Sequence, residues 1–164
     1  MSVEIRPLED RDWTHVWPFF DAIVRSGESY AYPVDLTEDT ARDLWVLRPP
    51  GETVVAVDDR DVLGTAHWGP NRPGRGAHIA TGSFMVDPAA SGRGVGRALG
   101  EYVVASARAA GFRGIQFNAV VETNTAAVQL WQDLGFRIIG TVPGAFHSAK
   151  HGYVGLHVMY LPLT

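Results

Sequence analysis

Phe84-Met85-Val86-Asp87-Pro88-Ala89-Ala90-Ser91-Gly92-Arg93-Gly94-Val95-Gly96-Arg97-Ala98-Leu99 reads as a strand, a tight glycine-rich turn and the start of a helix. Phe84, Met85 and Val86 form an apolar run suited to a buried strand end. Pro88 lacks an N–H and halts sheet pairing. Gly92, Gly94 and Gly96 let the backbone turn sharply and approach a ligand closely. The amides at the following helix N-terminus have no intrahelical acceptors and, with the helix dipole, form a site for phosphate. Arg93 and Arg97 add donors suited to phosphate oxygens. The implied ligand carries a pyrophosphate. A nucleotide-hydrolase loop would end Gly-Lys-Ser/Thr, whereas Gly96 is followed by Arg97-Ala98. A dinucleotide fingerprint would place its third glycine where Arg97 stands.

Upstream of this turn, Val3-Leu8 alternates as a half-buried strand does. Asp10 or Asp12 can cap a helix bearing Trp13, Val16, Trp17, Phe20 and Val24 at helical spacing, and Pro18 predicts a kink or a late start. Arg25–Pro33 is a loop with Tyr30 and Tyr32. Asp35-Leu36-Thr37-Glu38 has the form of a capping box opening a second helix to about Leu47. Thr53–Val57 and Val62–Trp68 read as strands joined by the turn Asp58–Asp61, and His78–Val86 as a fourth strand.

Downstream, a long helix runs from about Gly96 to Ala110 and Gly111 stops it. Ile115–Glu122 is a fifth strand, with Ile115, Phe117, Ala119 and Val121 on one face. Asn124 caps a helix whose apolar stripe is Ala127, Leu130, Trp131 and Leu134. Phe136–Val142 and Tyr153–Leu161 are the last strands, with Pro143–Gly152 read as the loop between them.

The 164 residues suffice for one domain with a substantial core. A formal net charge of −4, with no basic run, argues against nucleic acid as a partner. Apolar runs fall short of a membrane span, and Met1–Arg6 has no signal-peptide character, so no membrane partner is expected. The absence of cysteine removes disulfides, thiolate metal sites and a cysteine acyl-enzyme, and is compatible with a cytoplasmic protein. Six histidines form no helical His-x-x-x-His pair, so no metal site is expected.

The turn Ser91-Gly92-Arg93-Gly94-Val95-Gly96 resembles the acetyl-CoA loop of the GCN5-related N-acetyltransferases (GNAT), Arg/Gln-x-x-Gly-x-Gly/Ala, with Ser91 in place of the usual long donor. Asn124-Thr125-Ala126-Ala127-Val128-Gln129-Leu130-Trp131-Gln132-Asp133-Leu134-Gly135-Phe136 resembles a second family motif, Asn-x-x-Ala-x-x-Leu-Tyr-x-x-x-Gly-Phe. The element order β-α-α-β-β-β-α-β-α-β-β matches as well, so the resemblance covers nearly the whole chain. It implies an α/β (mixed α+β) fold over residues 1–164 as a single N-acetyltransferase domain. The expected sheet is central, mostly antiparallel, six- to seven-stranded and splayed between strands four and five, with helices on both faces.

The resemblance further implies acetyl-CoA, as co-substrate, between strands four and five. Its pantetheine arm would pair with the backbone of Phe84, Met85 and Val86. Ser91, Gly92, Arg93, Gly94, Val95, Gly96 and Arg97 would hold the pyrophosphate, and Asn124 would touch the cofactor besides capping its helix. Direct attack by a primary or secondary amine, with both substrates bound, would follow. The family's proton-donating Tyr is here Trp131, which fits the core. Glu122 is a candidate base or a solvated strand-end carboxylate; His67 and His78 are lesser candidates. Tyr30, Tyr32, Thr81, Asn118, Phe146 and His147 are expected at the acceptor.

Gln116–Asn124, with Gly140–Gly144, looks like a branch that acetylates proline analogues such as azetidine-2-carboxylate. Thr81 departs from that branch's Asn, and an amino acid or analogue is the favoured acceptor. A peptide or protein N-acetyltransferase and a non-catalytic acyl-CoA-binding domain are the alternatives, and a homodimer is compatible with the resemblance.

Overall fold

Hydrophobic runs buried on both faces set the sheet. In the computed structural model, which describes residues 2–164 and leaves Met1 outside, Val54, Val55 and Ala56 are all inaccessible. Neighbouring side chains on a strand point to opposite faces, so such a run requires cover on both sides. The strands are β1 (Glu4–Pro7), β2 (Glu52–Val57), β3 (Val62–Pro70), β4 (Ile79–Val86), β5 (Gly114–Val121), β6 (Arg137–Ser148) and β7 (Gly152–Pro162), in the order β1-β2-β3-β4-β5-β7-β6. All neighbours are antiparallel except β4 and β5. The expected mixed architecture is therefore present, with seven strands.

The helices α1 (Trp13–Ser26) and α2 (Glu38–Trp45) cover one face, where Trp13, Val16, Phe20 and Trp45 pack on Val55 and Met85. The helices α3 (Val95–Ala109) and α4 (Thr125–Asp133) cover the other, where Leu99, Val103 and Trp131 pack on Val54, Ala66 and Ile115. Gly64 lets α3 sit close: a Cβ there would lie 2.9 Å from the Met85 carbonyl oxygen and 3.0 Å from Val95 Cγ1. The first turn of α3 is thereby pressed onto the end of β4.

Several local readings are corrected. The helix α1 starts at Trp13 and runs through Pro18, which is exposed. The Thr14 carbonyl that loses its helical donor there lies on the same solvent side, where water can serve it. Asp12 precedes α1 without capping it by its side chain. The cap of α2 is Thr37, whose hydroxyl accepts from Thr40 N–H while Thr40 Oγ1 accepts from Thr37 N–H, so the reciprocal pair sits two residues later than Asp35–Glu38. Of Pro143–Gly152 only Ala149–His151 form a turn: β6 continues to Ser148, bulged between Val142 and Phe146, and β7 begins at Gly152. Pro143-Gly144 reads as a turn in sequence, yet proline and extra residues are tolerated on an edge strand.

The last correction concerns β5. Its pairing with β7 shifts between Phe117 and Val120, so Phe117 and Val121 are buried but Ala119 is exposed. A bulge breaks strict alternation and bends the strand.

The Asp12 carboxylate, 3% exposed, accepts from both terminal nitrogens of Arg6 (2.7 and 2.9 Å) and from Glu9 N–H (2.7 Å). The Arg6 hydrogen bonds hold its pKa below the usual carboxylate value against the opposing effect of burial. A lowered folded-state pKa stabilises the fold fully above about pH 4, and this contribution is lost as pH falls through the lowered pKa. Asp12→Ala should cost about 3 kcal/mol, because it strands a partly buried guanidinium. Urea unfolding at neutral pH checks this, and the native-minus-variant difference should shrink on acidification.

Candidate active site

The strands β4 and β5 pair only at Ile79↔Gly114 and Ala80↔Ile115, then part. Backbone groups alternate in direction along a strand. His78 C=O reaches Arg113 N–H towards β5, while Asp87 N–H reaches Leu63 C=O in β3. By that alternation Gly82, Phe84 and Val86 turn their peptide groups into the opening. The result is a cleft of about 730 Å³ that crosses the sheet.

At one end lies the glycine-rich turn. Gly92 and Gly94 have φ of 79° and 77°, which a side chain would strain. Gly94 caps α3, whose first helical bond runs from Ala98 N–H to Gly94 C=O. The amides of Val95, Gly96 and Arg97 thus lack helical acceptors at the positive end of the helix dipole. Arg97 lines the cleft and pairs with Glu101 at 2.8 Å. These groups fit a pyrophosphate. Asn124 lines the cleft and also caps α4, its Oδ1 accepting from Ala127 N–H at 3.4 Å.

At the other end stand Tyr30 and Tyr32, stacked at 5.7 Å, with Thr81, Ser83, Asn118 and Phe146. Burial pushes both tyrosine phenols up in pKa. Asn118 sits in the β5 bulge; its amide donates to Asn71 Oδ1 (2.7 Å) and its oxygen accepts from Gln116 (2.9 Å). The tyrosine loop is tied to the β6–β7 hairpin. Ser148 Oγ and Lys150 N–H donate to the Glu28 carboxylate at 2.6 and 2.9 Å, and Ala149 N–H donates to Gly27 C=O at 3.1 Å.

The cleft thus gathers Tyr30, Tyr32, Thr81, Asn118, Phe146, the Phe84–Val86 strand and most of the turn. Three expected residues fall outside its lining. Arg93 pairs instead with Asp58 (3.0 Å), bracing the β2–β3 turn. Glu122 accepts from Gly155 N–H (2.7 Å) and so serves the β5–β7 seam. His147 stacks on Tyr153 at 4.5 Å on the far side of its strand from Phe146.

His67 hydrogen-bonds the Trp45 carbonyl at 2.8 Å away from the cleft, and burial lowers its pKa. His78 is exposed before β4. Trp131, 6% exposed, packs on Phe84 and Phe117 at 4.6 and 4.8 Å. Ser83 was missed, although the period of two that aligns it with Thr81 could have found it. Among the described residues that line the cleft, Arg97 is the one charged side chain.

Residues 5–136 match the acetyltransferase (GNAT) family. The N-acetyltransferase aca1 of Schizosaccharomyces pombe is 30% identical, over 85% of this chain and 75% of its own. A GCN5-related N-acetyltransferase from Kribbella flavida superposes with a TM-score of 0.95 at 60% identity, over 98% of this chain and 97% of that one. A phosphinothricin acetyltransferase of the GNAT superfamily from Sinorhizobium meliloti, solved in complex with AcCoA, shares the fold at a TM-score of 0.86 and 23% identity, over 99% and 89% of the two chains. The chain belongs to the acetyltransferase (GNAT) family. It is an acyltransferase.

The Ser148 hydroxyl, and next the Lys150 amide, hold the Glu28 carboxyl below its usual pKa. The loop-to-hairpin tie should therefore be complete above about pH 4.3 and lost as pH falls through the lowered value. Amide exchange at Lys150 should accelerate on that acidification, relative to β2 and β3. Glu28→Ala should show the fast rate already at pH 7.

Proposed function

We propose that this enzyme transfers the acetyl group of acetyl-CoA to the amine of a small molecule, with both substrates bound at once in the split sheet. The observation that carries this is the cleft itself, which runs without a break from the amides of Val95–Arg97, past Phe84, to the Tyr30–Tyr32 wall. Opposite faces of the sheet would then receive the two substrates. The amides of Val95–Arg97 and the Arg97 guanidinium would hold the pyrophosphate, and the Phe84 carbonyl and the peptide groups of Val86 would hold the pantetheine arm as a strand holds its neighbour. Bound there, acetyl-CoA supplies a thioester open to attack by nitrogen.

An amino acid or analogue is the favoured acceptor, on the likeness of Gln116–Asn124 to enzymes acting on such amines. The acceptor end offers Thr81, Ser83 and Asn118 as neutral polar groups. A carboxylate there would meet neutral donors instead of a cation. Amino-acid amides should then be acetylated at least as fast as the free acids. The cleft lining also contains no carboxylate or imidazole among the described residues, so the amine would lose its proton to solvent.

The test is thiol release from acetyl-CoA across amino acids, their amides, proline analogues, polyamines and peptides. Turnover of peptides alone would overturn the small-amine reading. The value of kcat/KM should rise with pH up to the acceptor's own pKa, and Glu122→Gln should leave that profile in place. Arg97→Ala should weaken acetyl-CoA binding about fivefold to tenfold, as loss of one exposed phosphate contact does, while Arg93→Ala should change it less than about twofold. Calorimetry reads both.

A further inference from the structure

Phe84 is the middle of the three residues whose peptide groups face the opening, and both of its polar groups end on one side-chain atom. Phe84 N–H donates to Tyr30 Oη at 2.9 Å, and the Tyr30 hydroxyl donates to the Phe84 carbonyl. A side chain from the α1–α2 loop thus occupies the position that β5 vacates. The ring is held firmly, flat against Tyr32 and edge-on to Trp45 at 6.3 Å. Its loop is anchored through Gly27 and Glu28 to the β6–β7 hairpin.

This inference rests on the acetyl-CoA reading above. With the pyrophosphate at Val95–Arg97, an arm following β4 from Val86 reaches Phe84 two residues, or about 7 Å, further on. Its thioester end then meets the Tyr30 hydroxyl. A phenolic hydrogen turns about its C–O bond without moving the ring, and the oxygen can accept one hydrogen bond while donating another.

We propose that Tyr30 is the hydrogen-bond donor to the thioester carbonyl. Its oxygen keeps the hydrogen bond from Phe84 N–H, its hydrogen turns from the Phe84 carbonyl to the acetyl carbonyl oxygen, and it stabilises the negative charge that grows there as the amine attacks. The Phe84 carbonyl that it leaves is free for an N–H of the arriving substrates. The proton stays on Tyr30 throughout. Burial raises the phenol, whereas a thiol ionises near pH 8.5, so transfer to the departing thiolate would run uphill. Tyr30 is a neutral donor and does not replace the proton-donating Tyr whose position Trp131 occupies.

Tyr30→Phe removes the hydroxyl and keeps the stacked ring. Binding of acetyl-CoA to the full chain is measured by calorimetry, and the stretch of its isotope-labelled acetyl carbonyl by difference infrared spectroscopy. In the native protein the bound carbonyl should absorb at lower frequency than in free acetyl-CoA, and in Tyr30→Phe it should return towards the free value. Affinity should stay within about threefold. With an acceptor present, kcat should fall about 100-fold or more, with little change in the acceptor KM.

Should Tyr30→Phe fold poorly, ring-fluorinated tyrosine at position 30, a stronger donor of nearly the same shape, should lower the stretch further. A carbonyl unshifted in the native protein, or shifted equally in the variants, overturns the role of Tyr30 and leaves the acetyl-CoA reading standing. Failure of the native protein to bind acetyl-CoA overturns both.

Discussion

A parallel strand pair that ends after two residues is the constraint on which the molecule depends. Peptide groups withdrawn from water need partners, and each one left without costs about 1–3 kcal/mol. Past Ala80, β4 loses β5 as its neighbour, yet it remains walled by α1 on one side and α3 on the other. The cost is met in part locally. Tyr30 bonds both polar groups of Phe84, and the bulge at Asn118-Ala119 lets β5 bend away while keeping its pairing with β7. What remains open is the edge of β4 that faces the cleft.

The opening persists because it is wedged. Phe84, Phe117, Trp131 and Phe136 form one aromatic cluster behind the parting strands, with Phe117 stacked on Phe136 at 4.3 Å. Interiors packed to crystal-like density do not collapse without expelling such rings. Trp131 at the place of the family's usual Tyr belongs to this wedge. Its indole adds volume where a phenol would add a proton donor, so the chemistry of the cleft must draw its polar groups from elsewhere.

Charge is distributed with the same economy. The ionisable side chains near the opening mostly brace its frame: Arg93 holds Asp58, Glu28 holds the β6–β7 hairpin, and Glu122 holds Gly155. Arg97 remains at the turn, beside the free amides of α3. A largely neutral cleft favours hydrogen bonding by hydroxyls and peptide groups, which a low-dielectric surrounding strengthens.

The amino-acid sequence by itself determined most of the elements and the glycine-rich turn. Both are local: strand and helix periods, the glycines of 92–96, and the Asn124 cap act over a few residues, and the two family-like motifs rest on them. Where a reading depended on distant partners it went astray. Pro143-Gly144 looked like a loop because nothing nearby reveals that β7 lies alongside. Asp12 looked like a cap because Arg6 is not visible as its partner, and Glu122, Arg93 and His147 looked available because their partners arrive from other strands and turns. Tyr30 was legible as an aromatic of the α1–α2 loop, but its bond to Phe84 spans 54 positions and was not. Tertiary structure alone decided which polar groups face the opening and which are already engaged, because hydrogen bonds are short-ranged and directional and only the folded chain brings their two ends together.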